Sequence, residues 1–167
     1  MSSLLKAAVA RERQEDRARS EQLSLRLGCN AIGKTVLRDR YMAYPLSISP
    51  IFRLDEGDDS RAYLYRMNTS PGLLAGDRLD TSLHLEAGSA LYLADQAATK
   101  VHAMPEQAQS GCCRSKVNYR VTVDEQATLE FLPESLILFA DSELKQATDI
   151  VLATTAGLSW GEIILPG

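Results

Sequence analysis

The sequence predicts an all-β protein of stacked, β-helix-like sheets, preceded by a short charged helix or arm. Three observations carry this prediction. From Leu23 onward, short runs rich in Leu, Val, Ile, Tyr and Thr alternate apolar with polar residues, which is the period-2 signature of strands. Turn residues punctuate the runs, at Gly33, Pro45, 55–60, 70–72, Gly88, 105–111 and Gly157. Finally, LHLEAGSALYL (83–93), VTVDEQATLEF (121–131) and IVLATTAGLSW (150–160) repeat one local pattern at separations of 38 and 29 residues. In each, two apolar residues flank one other residue and a short connection follows; a Leu then stands eight positions after the first, with a bulky apolar residue two further on. The spacing is too irregular for a fixed-period array, but recurring strand–turn–strand units predict coils of sheet stacked against each other.

Taken in order, residues 1–22 mix Lys6, Arg11, Arg13, Arg17 and Arg19 with Glu12, Glu15, Asp16 and Glu21 and contain no Gly or Pro. That composition suits a solvated helix or arm. Strands are expected over 23–27, 35–42, 46–53, 62–68, 79–85, 90–94, 117–123, 127–132, 135–140, 148–153 and 158–165. The best later helical window is the short ADSELKQ at 140–146. A length of 167 residues fits one domain over 23–167. The closing GEIILPG is strand-like, so its edge is expected to be covered by a partner or to continue into something longer.

Composition excludes several function classes. With 45% apolar and 24% charged residues, the chain reads as soluble and globular. A net charge of -4 and a pI near 5.2 argue against nucleic acid or an anionic membrane as partner. No apolar run approaches the ~20 residues of a spanning helix, and Lys6 interrupts the N-terminal apolar stretch, which is unlike a secretory signal. The three cysteines, Cys29, Cys112 and Cys113, form neither a disulfide framework nor a CxxC knuckle, and a reducing cytoplasm is expected.

Nucleophilic catalysis finds little support, because there is no GxSxG elbow and only His84 and His102 could serve as imidazole bases. His84, between Leu83 and Leu85 in an alternating run, is expected to face outward. GCNAIGKT meets the GxxxxGK[ST] spacing at Gly28, Gly33, Lys34 and Thr35, but VLRDRYMAYPLSI follows it. A phosphate loop must open a helix whose amides point at the phosphates, so nucleotide binding is rejected. Cys112 and Cys113 lie beside Gly111, Arg114 and Lys116, a setting that lowers a thiol pKa. Adjacent residues on an extended chain point to opposite sides, however, and they are read as loop thiols rather than a chelate.

The carboxylates are more informative. Seven of them, Asp124, Glu125, Glu130, Glu134, Asp141, Glu143 and Asp149, share their stretch with only Lys145, which creates a local negative field. Glu130 and Glu134 bracket the apolar LEFLPES, where a buried unpaired carboxylate would need compensation. A passing cation is one such compensation; a solvated face with Glu130 outward is the other reading.

SPGLLAGDRLDTSLHLEAGSALYLADQAATKVH (70–102), LEFLPESLILFADSELKQ (129–146) and WGEIILPG (160–167) resemble, in this order, the urease accessory protein family UreD, called UreH in some organisms. Pro71–Gly72 and Gly76–Asp77 match the family's glycine-rich GD element, Gln96 to Lys100 its QAATK element, and Leu129 to Glu134 its LEWLPE-like element. The resemblance reaches back through GKTVLRDRYMAYPLSI and covers residues 23–167. Two departures stand out. Family members run on beyond the tryptophan strand through a Gly-Arg pair, whereas this chain stops at Gly167, so the C-terminal part of the family fold is expected to be absent. Asp95 and His102 stand where threonine-like and aromatic residues are expected.

The resemblance implies a mostly β, non-enzymatic chaperone that binds the urease apoprotein and bridges it to UreF and the GTPase UreG, with GTP on UreG. It implies no tightly bound cofactor, only nickel in transit along an internal path. Together with the acidic motifs it points to Asp77, Glu130, Glu134, Asp141 and Glu162 as the residues lining or gating that path. Imidazole and thiolate retain Ni(II), whereas carboxylates hold it loosely enough to leave. The rival expectation is a stand-alone β-helix binding module or a carbohydrate-processing enzyme using Glu130 and Glu134 as paired carboxylates.

Overall fold

The computed structural model describes residues 21–54, 56–57, 59–104 and 114–167. The expected N-terminal helix or arm lies outside them apart from Glu21 and Gln22, as do Cys112 and Cys113. Thirteen strands follow in chain order: β1 (Leu23–Cys29), β2 (Thr35–Met42), β3 (Leu46–Ile48), β4 (Ala62–Asn68), β5 (Arg78–Leu85), β6 (Ala90–Asp95), β7 (Thr99–Val101), β8 (Ser115–Val123), β9 (Thr128–Leu132), β10 (Leu136–Leu138), β11 (Leu144–Leu152), β12 (Gly157–Trp160) and β13 (Ile164–Pro166). No helix occurs among the described residues, and the fold is all-β as expected.

From β5 onward the chain winds as a coil with three faces. Each turn lays one strand on each face, β5–β6–β7, then β8–β9–β10, then β11–β12–β13, and neighbouring turns pair in parallel. The first face has the order β11-β8-β5-β1-β2, the second β12-β9-β6-β4-β3 and the third β13-β10-β7. The antiparallel pairs β1–β2 and β3–β4 start the coil, joining it through parallel β1–β5 and β4–β6 ladders. The loop before β5 extends the third face, where Leu73 bridges to Val101. Gly72 makes this possible: its φ is 144°, and a Cβ there would lie 2.6 Å from the Lys100 carbonyl oxygen.

The three repeated segments are the coil's register. Leu83 pairs with Val121 and Val121 with Ile150; Leu91 pairs with Leu129 and Leu129 with Leu158; Leu93, Phe131 and Trp160 form the next row. The corner between first and second faces has the same length in every turn. It is closed by an amide bonding back three residues, from Ser89 to Glu86, Ala127 to Asp124 and Ala156 to Ala153. The unequal separations are absorbed elsewhere, in the return from third to first face, which spans 102–114 in one turn and 139–143 in the next. That return is free to vary because no ladder fixes its length.

Some boundaries differ from the expected ones. Run 46–53 stops at Ile48, because Pro50 has no amide to donate, and resumes only as a Phe52–Tyr63 bridge. Run 158–165 is two strands on two faces, broken at Gly161 where the coil turns. The short helix expected at 140–146 is a turn followed by the start of β11, because Leu144–Gln146 complete a parallel ladder on β8. Strand β7 was not foreseen, since Thr-Lys-Val carries too little apolar signal for its three residues.

Inward positions form stacked rows of Leu, Val and Phe. Leu23, Leu27, Leu85, Leu93, Val101, Leu129 and Phe131 have no accessible surface, and such burial is the main stabilising term. Replacing Leu129, at the centre of its three-turn row, by Ala is expected to cost about 2–5 kcal/mol. Urea unfolding would measure this, and a loss under about 1 kcal/mol would mean that the row is not close-packed.

The corners also carry a pH-sensitive contact. The Thr155 hydroxyl and amide donate to Glu125 and hold its carboxyl below the usual carboxylate range. A carboxyl depressed in the folded state stabilises above its ordinary value of 4.5, and that contribution is lost as pH falls through the folded value. The melting temperature of Glu125→Gln is therefore expected to fall less than the parent's between neutral pH and about pH 3. Identical acid limbs would show that the contact does not persist in solution.

Candidate functional site

The alternation that builds the core carries one charged pair among the described residues. In β4, Ala62, Leu64 and Arg66 share the inward side, and in β6, Leu91, Leu93 and Asp95 do the same. Register places Arg66 directly beside Asp95. The guanidinium grips both carboxylate oxygens, Nε to Oδ1 at 2.6 Å and Nη2 to Oδ2 at 2.7 Å, with side-chain exposures of 10% and 8%. Its remaining donors reach the Tyr119 hydroxyl at 3.1 Å and, at the limit of hydrogen bonding, Thr81 Oγ1 at 3.4 Å. The Tyr119 and Phe131 rings each lie 5.2 Å from the guanidinium carbon, within cation–π range. Burial disfavours the charged guanidinium, but Tyr119 and Asp95 outweigh it and raise the pKa above the ordinary arginine value. Arg66 is therefore a permanent cation.

The aromatic group continues toward the last turn. Trp160 meets Tyr119 and Phe131 edge-on at 5.2 and 4.7 Å. Its indole Nε1 donates to Glu162 Oε1 at 3.1 Å, and Gln146 Nε2 donates to the same oxygen at 2.7 Å. Gln146 Oε1 is buried without a hydrogen-bond partner.

Arg66, Asp95, Tyr119, Gln146, Trp160 and Glu162 line a cavity of about 30 Å3, room for a water molecule or two. Its wall takes Leu46 and Asn68 from the start of the coil, Leu79 and Val117 from the middle turns, and Gln146 from the last. Leu79, Val117 and Gln146 are one register row, so the cavity runs along the coil axis. The corners between second and third faces add Asp95, Glu134 and Glu162. Among the described residues of the wall, three carboxylates against one guanidinium give a negative balance, and no His or Cys belongs to it.

Of the carboxylates expected on an ion path, Glu134 and Glu162 line this cavity; both are exposed at its rim. The others lie elsewhere. Asp77 accepts the Leu74 amide at 2.8 Å and fastens the turn before β5. Glu130 faces outward from β9 and pairs with Arg61 at 2.6 Å, so its compensation is a guanidinium rather than a passing cation. Asp141 sits exposed in the turn before β11 with φ 58°.

The remaining candidates separate as well. His84 Nε2 lies 3.0 Å from Asp124 Oδ2 on the outer surface, while His102 lies 3.3 Å from the Pro71 carbonyl oxygen and edge-on to Phe139. Gly28 lies in β1 and Thr35 in β2, two arms of a hairpin, and Lys34 pairs with Asp59; no helix opens there to receive phosphate. Among the described residues, no group of three or more His, Cys, Asp or Glu is placed to hold a metal. Reading the sequence for carboxylates missed the Arg66–Asp95 pair. The signal was present: two opposite charges on the apolar parity of two alternating strands.

Comparison with known proteins is consistent throughout. The family model described as UreD urease accessory protein matches residues 19–167. The chain is 49% identical over 148 residues to the urease accessory protein UreD of Trichodesmium erythraeum (strain IMS101), covering 89% of this chain and 52% of that protein. It is 34% identical over 138 residues to UreD of Actinobacillus pleuropneumoniae serotype 5b (strain L20), covering 81% and 48%. With UreD of Haemophilus influenzae (strain ATCC 51907 / DSM 11121 / KW20 / Rd) identity is 32% over 148 residues, covering 89% and 55%. The chain spans about half the length of these curated relatives.

The buried pair makes a direct prediction. Asp95→Ala leaves the guanidinium uncompensated and is expected to cost about 3–5 kcal/mol, whereas replacing Arg66 and Asp95 together by Met and Leu recovers most of the loss. Urea unfolding of single and double variants measures both. A single variant within about 0.5 kcal/mol of the parent would mean that water screens the pair.

Proposed function

Because the chain belongs to the UreD family of urease accessory proteins, we propose that it serves as a scaffold for nickel insertion. In this role it binds the urease apoprotein, bridges it to UreF and to UreG, and offers nickel a passage along the axial cavity; GTP chemistry stays with UreG. Nickel here is cargo and not a resident cofactor.

The observation that carries this reading is the donor set of the cavity: carboxylates of Glu134 and Glu162 and an amide oxygen of Gln146, with no imidazole or thiolate among the described residues of the wall. Oxygen donors bind Ni(II) more weakly and exchange faster than nitrogen or sulfur donors. A passage requires binding favourable enough to enter and weak enough to leave. The rival carbohydrate-processing reading needs Glu130 and Glu134 to flank one substrate. Glu130 instead faces outward against Arg61, while Glu134 lines the cavity.

The test is co-expression of the chain with urease subunits, UreF and UreG in cells lacking their own UreD. The chain is expected to be retained on the apoprotein and to raise the nickel content of urease. Glu134→Gln and Glu162→Gln are expected to keep the pull-down and lower nickel content several-fold, with smaller effects from Asp77→Asn, Glu130→Gln and Asp141→Asn, which lie outside the wall. Full nickel loading by both cavity variants, or loss of nickel only together with loss of partners, would overturn the cavity as the passage.

A further inference from the structure

We propose that the basic row Arg78–Lys116–Lys145, on the outer side of the first face, docks an acidic helix of a protein partner; that the partner belongs to the urease assembly rests on the role proposed above. Register puts Arg78 beside Lys116 and Lys116 beside Lys145 on three adjacent strands. The next residues along, Leu79, Val117 and Gln146, line the axial cavity, so strand alternation turns the three cations away from it, and all three are exposed. Like charges side by side on neighbouring strands repel and weaken a sheet. The nearby carboxylates leave this repulsion standing. Asp80 is completely buried, held by Arg78 Nε and Asn118 Nδ2, each at 2.6 Å. Glu143 faces Arg114, and Asp77 accepts the Leu74 amide. Among the described residues, neither Lys116 nor Lys145 pairs with a carboxylate.

The geometry of the row selects the shape of the partner. Neighbouring strands lie about 4.8 Å apart, so the row spans about 10 Å across the sheet. Glutamates at i, i+4 and i+7 of a helix share one face and span about 10.5 Å along its axis. Alternate residues of an extended chain are about 6.7 Å apart and fall out of step with the row. A helix lying across the three strands, along the coil axis, therefore sets one carboxylate against each cation. Asp80 fixes Arg78 at one end by a charge-assisted bond, and the two lysines keep their ammonium donors for the partner. The chain as a whole carries a net charge of -4, which opposes a long polyanion such as nucleic acid. A short acidic segment meets the local row without that penalty.

The experiment measures, by fluorescence anisotropy, binding of a labelled alanine-rich helical peptide with Glu at i, i+4 and i+7 to the purified chain. A peptide of the same composition with its glutamates spread round the helix is the control. The parent is expected to bind the one-faced peptide several-fold more tightly, with the difference shrinking as salt is raised. Lys116→Glu/Lys145→Glu is expected to abolish the preference while circular dichroism stays that of the parent, because exposed substitutions leave stability nearly unchanged. Should the reversal disturb folding, Lys116→Gln/Lys145→Gln carries the test. Lys116→Gln alone removes the middle charge of the row and is expected to weaken peptide binding without lowering the melting temperature. In the co-expression experiment, Lys116→Glu/Lys145→Glu is expected to release one protein from the complex.

Equal binding of the two peptides, a preference that survives in the folded lysine variants, or a complex whose composition the double reversal leaves unchanged overturns the proposal. So does tighter binding of a single-stranded oligonucleotide than of the one-faced peptide. The two readings fail differently. A parent that prefers the one-faced peptide but is absent from the urease complex removes the assembly role, whereas a parent held in the complex regardless of Lys116 and Lys145 removes only the basic row.

Discussion

In a parallel coil, every side chain stands directly above its counterpart in the next turn. This register is the constraint on which the rest of the structure depends. An apolar residue at one level requires apolar residues above and below it, which is why Leu91, Leu129 and Leu158 follow one another. A polar residue on the inward side must find its partner within the same row or an adjacent one. Arg66 and Asp95 do so as direct neighbours across the β4–β6 ladder. The equal corners between first and second faces hold this register, and the variable return from the third face leaves it undisturbed.

The same constraint explains what was legible in the sequence. The repeat at 83, 121 and 150 was visible because stacked apolar rows demand similar residues at equivalent positions, and its separations of 38 and 29 proved to be the ladder offsets. Short third-face strands were harder to find. Thr99–Val101 has a single buried apolar residue, and Ile164–Pro166 merged with the strand before it, because apolarity is continuous across the bend at Gly161 and only the change of face divides them. Of the residues that line the cavity, Glu134 and Glu162 were named from the sequence as acids in or beside the motifs that carry the family resemblance. Arg66 and Asp95 were not read as a pair, although each is a charge on the apolar parity of its strand and Asp95 stands where a threonine-like residue is expected. Their meaning emerges only when the parity of both strands and the ladder between them are known.

The cavity lies between the strand rows and the corners that join the second face to the third. Asp95, Glu134 and Glu162 all lie where the chain leaves the second face for the third, and all three line the cavity. Tyr119, Phe131 and Trp160 pack against one another, with the permanently charged Arg66 over the Tyr119 and Phe131 rings, while Trp160 and Gln146 fix Glu162 through one of its oxygens. In the proposed passage, donors at an exposed rim with a compensated pair behind them would meet a cation without enclosing it.

The most direct measurement is the position of the ion itself. Crystals of the chain exposed to Ni2+ and measured on both sides of the nickel absorption edge would locate it by its anomalous signal. The account predicts a partly occupied peak in the axial cavity within coordination distance of Glu134 and Glu162, with Arg66 still forked on Asp95. Anomalous density confined to His84 or His102 on the surface, with the cavity holding none, would contradict it.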